Sequence, residues 1–114
     1  MDGRIQRKVA DYLTASFGVR HLDTITTAGL IKHLATETDQ TDTLLANLEI
    51  SISAHGSSQL AVVAHHDCAG NPVPDRTQRD QVVTSVELLR EGYPNSEVIG
   101  LWLDDWWIVE RVRP

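Results

Sequence analysis

Leu60-Ala61-Val62-Val63-Ala64-His65-His66-Asp67-Cys68 is the stretch on which the fold turns. Its unbroken apolar run predicts a strand buried on both faces, the pattern found inside a parallel sheet covered by helices. The polar residues that follow fall at the strand's carboxyl end, the edge of an open α/β sheet where ligands and chemistry collect. Downstream, the loop Ala69 to Pro74 leads into a helix from about Asp75 to Glu91. Val82, Val83, Val86 and Leu89 face inward there and Gly92 stops it. Val98 to Leu103 reads as a second buried strand. Asp104-Asp105 reads as a tight turn, and Trp106 to Val112 as the returning strand of a hairpin.

Upstream of the deciding stretch, Ile5, Val9, Leu13 and Phe17 recur every four residues before Gly18, an amphipathic helix with its stop. His21 to Thr27 alternates Leu22, Thr24 and Thr26 against Ile25 and predicts a short strand. Gly29 to Leu34 starts a short helix. Asp39 or Thr41 is placed to cap a longer one, with Leu44, Leu45, Leu48 and Ile52 as its stripe and Gly56 as its end. Strands alternating with helices predict an α/β fold: a mostly parallel sheet flanked by helices, closed by a C-terminal antiparallel hairpin.

At 114 residues the chain is expected to form one domain, 1–114, with a core of its own. Ten basic residues against sixteen acidic ones give a net charge of −6, which leaves no basic face for nucleic-acid phosphates. No apolar run approaches the about 18 residues of a membrane span. The opening Met1-Asp2-Gly3-Arg4 lacks a signal-peptide profile, and the lone Cys68 excludes an internal disulfide framework. A soluble cytoplasmic protein is the expectation.

His65-x-x-Cys68 puts an imidazole and a thiolate three residues apart on a tight loop, where both can grip one small ion. Nitrogen with sulfur favours zinc over magnesium or calcium, and a catalytic zinc needs a third protein ligand and an open position.

Ala61-Val62-Val63-Ala64-His65-His66-Asp67-Cys68-Ala69-Gly70 resembles the second metal-ligand segment of the β-class carbonic anhydrases, a buried strand ending in Gly-His-x-x-Cys-Gly-Gly. Ala64 and Ala69 replace two of those glycines, and Gly70 is kept. Asp2-Gly3-Arg4, followed by a helix, matches the later part of the family's Cys-x-Asp-x-Arg loop. The resemblance implies a Rossmann-like three-layer fold and a Zn2+ centre with His65 and Cys68 as ligands. It makes Asp2 an acceptor for metal-bound water or a ligand in a closed resting form, with Arg4 pairing to Asp2. The chemistry it implies is hydration of carbon dioxide by hydroxide formed at zinc, reversible to bicarbonate, or reaction of a related small molecule. Dimers or larger homo-oligomers are the family's assembly. The family's first Cys and its central first strand would lie ahead of Met1, and losing that strand would leave an apolar cleft and unpaired backbone groups. The resemblance therefore implies a native start upstream, or else a partner subunit or a rearranged sheet that fills the gap.

Other residues carry plainer readings. His66 beside the site is a proton-shuttle candidate or a polar loop residue, and Asp67 a residue that orients a ligand or caps the loop. Trp102, Trp106 and Trp107 suggest core or oligomer contacts ahead of a ligand platform. Asp104-Asp105 reads as an exposed turn, Gln78 and Asp80 as a solvated helix face, and His21 and His33 as structural. Two functions compete: a zinc lyase, and a non-catalytic relative keeping the fold as a binding or assembly module. A cysteine phosphatase does not fit, because the first Arg after Cys68 is Arg76, too far along for that cradle. No P-loop or nucleophile elbow occurs.

Overall fold

The four-residue apolar spacing near the start forms helix α1 (Gln6–Phe17), and Gly18 closes it in the left-handed conformation that only glycine adopts freely. The chain is described by a computed structural model covering Met1–Pro114. Two helices follow, α2 (Leu30–Ala35) and α3 (Thr41–His55). Then come strand β1 (Gln59–His65), helix α4 (Asp75–Gly92), and strands β2 (Glu97–Leu103) and β3 (Val109–Val112). Neither Asp39 nor Thr41 caps α3. The Thr41 hydroxyl is engaged elsewhere: it donates to the His33 carbonyl at 2.6 Å and accepts from the Thr38 N–H at 2.8 Å, tying α3 to α2.

The sheet order is β1-β2-β3. β1 runs parallel to β2 from Gln59↔Glu97 to His65↔Leu103, and β2 runs antiparallel to β3 from Gly100↔Val112 to Leu103↔Val109. With one pair of each kind, the sheet is mixed rather than mostly parallel. The returning strand is also shorter than its apolar run: it begins at Val109, after the loop residues Trp106 and Trp107 and after Ile108, whose carbonyl accepts from the Asp104 N–H and closes the loop.

His21 to Thr27 is not a strand. A strand needs a hydrogen-bonding neighbour, and this segment is held elsewhere. Asp23 accepts hydrogen bonds from Ser51 and His55 of α3. Between the segment and β1 lies a largely apolar groove of about 420 Å³, walled by Leu13, Leu22, Ile25, Ala61 and Val63 among others. β1 is therefore an edge strand.

Alternation along the strands divides the core into two clusters. Leu60, Val62, Ala64, Val98 and Trp102 pack with Ile31 of α2 and Val82, Val86 and Leu89 of α4. Ile99 and Leu101 pack with Leu13 of α1, with Ala61 and Val63 beside them. α4 approaches β2 closely at Gly100, where an added Cβ would lie 2.6 Å from Val82 Cγ1. Gln78 belongs to this helix's inward stripe four residues before Val82, so it is buried, 1% exposed, rather than on a solvated face. Its Oε1 has no hydrogen-bond partner.

Candidate metal centre

β1 delivers His65 to the sheet's carboxyl edge with only 7% of the residue exposed. The ladder continues one step, with the His66 N–H donating to the Leu103 carbonyl at 2.9 Å. The backbone then turns sharply at Asp67, which takes a left-handed φ of 56°. Cys68 follows, half-buried and free, its carbonyl accepting from the Asn71 N–H at 3.2 Å. Gly70 completes the loop against the Ala28–Gly29 backbone, where a Cβ would come within 2.5 Å of main-chain atoms.

His65 Nδ1 lies 2.7 Å from the His66 carbonyl oxygen. A carbonyl only accepts, so Nδ1 carries the proton and Nε2 of the neutral ring keeps its lone pair. That tautomer is the one a metal-ligating histidine needs. Asp2 Oδ2 stands 3.8 Å from this Nε2.

Asp2 is in turn gripped by Arg4. Its Oδ1 accepts from the Arg4 backbone N–H at 2.9 Å and from Nε at 3.1 Å, and its Oδ2 accepts from Nη2 at 2.6 Å. The Arg4 guanidinium pulls the Asp2 carboxyl down to about 2, so Asp2 is ionised and can only accept at neutral pH. The same contacts, with those from Asp67, push the Arg4 guanidinium further up.

Arg4 reaches beyond Asp2. Nη1 donates to Asp67 Oδ2 at 3.2 Å and Nη2 to the Asp67 carbonyl at 3.1 Å. The Trp107 ring lies under the guanidinium, 4.5 Å from carbon to centroid. The same ring is tilted at 50° to His65 with centroids 6.3 Å apart. Beside the loop, His66 Nδ1 pairs with Asp75 Oδ2 at 2.8 Å, and this carboxylate raises the His66 pKa.

Asp2, Arg4 and His65, far apart in the chain, thus meet at one place, and Cys68 sits on the loop that follows His65. Zinc takes nitrogen, sulfur and oxygen donors, and these residues supply all three kinds. No group of three or more His, Cys, Asp or Glu side chains is gathered to hold a metal ion, however. The donor types fit; the set is not assembled as it stands.

The three tryptophans separate. Trp102 is core, Trp106 is 77% exposed at the hairpin tip, and Trp107 faces the site. Asp75 and Trp107 were not legible as site residues. Asp75 reads in sequence as a helix start, and Trp107 as one more apolar residue of a hairpin. A signal for Trp107 does exist: a short hairpin loop wants glycine or asparagine at its last position, and a tryptophan there is out of place.

Compared with known proteins, residues 1–113 match a family model described as "Putative carbonic anhydrase". No curated protein and no solved structure matches the chain.

Proposed function

The chain belongs to this carbonic anhydrase family, matched over residues 1–113, and from that premise we propose that it hydrates carbon dioxide reversibly at a zinc centre held by His65 and Cys68. The observation that carries the reading is His65: its Nδ1 proton is donated to the His66 carbonyl, which leaves Nε2 bare beside an ionised Asp2. Zn2+ held by His65 and Cys68 would supply Lewis acidity and would bring the pKa of water toward about 7.

The chain's own groups do the rest. Asp2, fixed by Arg4, is an acceptor aimed at the space in front of His65 Nε2, where it orients a donor. His66, with its pKa raised by Asp75, is placed to exchange protons with solvent at 39% side-chain exposure. The substrate class is a small molecule, carbon dioxide or a related heterocumulene. Apolar clusters on both faces of the sheet support the three-layer arrangement of the family. Trp106 and Ile108, 77% and 61% exposed at the hairpin tip, support a homo-oligomer contact. The lone free Cys68 suits a reducing, cytoplasmic setting. No helix is long and apolar enough to cross a membrane.

A second reading, a non-catalytic member that serves as a binding or assembly module, is favoured by one observation: no three metal donors are gathered. Elemental analysis of dialysed protein separates the two. About one zinc per chain, with carbon dioxide hydration above the uncatalysed rate, is expected for the enzyme. Cys68→Ser is expected to abolish zinc binding rather than merely slow turnover, and full zinc retention by that variant would remove Cys68 from the site.

A further inference from the structure

The turn between β2 and β3 carries a residue that its backbone does not favour. The Asp104 N–H donates to the Ile108 carbonyl at 3.3 Å, and the Trp107 N–H to the Asp104 carbonyl at 3.0 Å. Asp104 Oδ1 accepts from the N–H groups of Trp106 and Ile108 at 2.8 and 3.1 Å. This is a short hairpin loop whose last residue, Trp107, sits at φ 58°. Glycine or asparagine suits that position, and a bulky side chain there is an outlier. Asp67 is the other non-glycine residue with positive φ. Both outliers contact Arg4, from different parts of the chain. Backbone strain that gathers on one side chain points to what that side chain must do.

We propose that Trp107 is a positioning residue: its indole face, with Asp67 at the far edge, holds the Arg4 guanidinium in the orientation that keeps Asp2 engaged beside His65. Asp2 and Asp67 take the guanidinium's edge donors, and Trp107 takes one face through a cation–π contact at 4.5 Å. With the ring removed, only the edge contacts to Asp2 and Asp67 hold the guanidinium, one face of it opens to solvent, and a side chain already 45% exposed is held more loosely. Asp2 is then free to turn to His65 and Cys68. That consequence rests on the metal-site reading above, whereas the hold on Arg4 does not.

The test has a metal-free arm and a metal arm. In metal-free protein, proton–nitrogen NMR of the Arg4 Nε–H is expected to give a slowly exchanging, ordered signal. Trp107→Gly, which suits the turn, is expected to lose that signal while the protein still unfolds cooperatively. Trp107→Phe, which restores an aromatic face, is expected to keep it. An ordered signal in Trp107→Gly overturns the proposal. In the second arm Co2+ is added as a probe. The visible absorption of Trp107→Gly is expected to differ from the parent's, and adding Asp2→Asn to remove the difference. A Trp107→Gly spectrum identical to the parent's overturns the link to Asp2. Failure of the parent to take up Co2+ overturns the metal-site reading, and the NMR comparison then decides the role of Trp107 by itself.

Discussion

Gly100 shows how one missing atom sets the spacing of this fold. It lies mid-strand with ordinary backbone geometry, so its role is room rather than conformational freedom. A Cβ at this position would meet Val82 Cγ1 at 2.6 Å and Val86 Cγ2 at 3.1 Å, and both valines are fully buried and cannot give way. Gly100→Ala is expected to destabilise the protein by about 1–3 kcal/mol, the range of an overpacked core. The measurement is denaturant unfolding. Adding Val82→Ala should recover part of the loss, and full additivity of the two changes would show that the contact is not the cause. The same scale explains what could be read of the site. His65 and Cys68 are legible as candidates because three residues of separation at one strand end is a local property. The hold of Asp67 and Trp107 on Arg4 is not, because it joins three parts of the chain through contacts that no spacing records.

Element by element, the helices and the buried strands follow from periodicity, since each stripe needs only its own sequence to appear. Val82, Val86 and Leu89 mark the inward face of α4, and the runs Leu60–Ala64 and Val98–Leu103 mark β1 and β2, although only β2 lies inside the sheet and β1 is at its edge. Gln78 defeats that reading because its position on the stripe, not its polarity, decides its burial. The segment His21 to Thr27 defeats it differently: alternation is necessary for a strand, but a neighbour is too. What fixes this segment is Asp23, whose carboxyl is held below its ordinary value of 3.8 first by the Ser51 hydroxyl and then by His55. A carboxylate depressed in this way adds stability that is present above its unfolded pKa and is lost as pH falls through the folded one. Ser51→Ala brings the folded value back toward the ordinary one. Its acid-unfolding midpoint is therefore expected at higher pH than the parent's; the variant is the less stable of the two at neutral pH, and the difference closes as pH falls through the folded pKa. An unchanged acid limb, followed by circular dichroism, would show that the anchor is not at Asp23.

Taken whole, the molecule has a radius of gyration of 13.1 Å, close to the about 13 Å of an ordinary globular domain of this length, even with a groove beside its sheet. Compactness comes from α4 and the paired strands, while α1, α3 and the 21–27 segment stand around the groove as a wall. The open side of β1 has a direct reading in time. The Ser58 carbonyl and the His66 N–H point to β2, so Leu60, Val62 and Ala64 do the same, and the amides of Gln59, Ala61, Val63 and His65 point away from β2, the first three toward the groove. Deuterium uptake along β1 is therefore expected to alternate residue by residue, fast at the odd positions, whose amides have no strand partner, and slow at the even ones, whose amides pair with β2. Uniformly slow uptake would reveal that in solution something lies along that edge. The strand thus carries its own clock for whether the groove is empty or filled, readable without knowing what fills it.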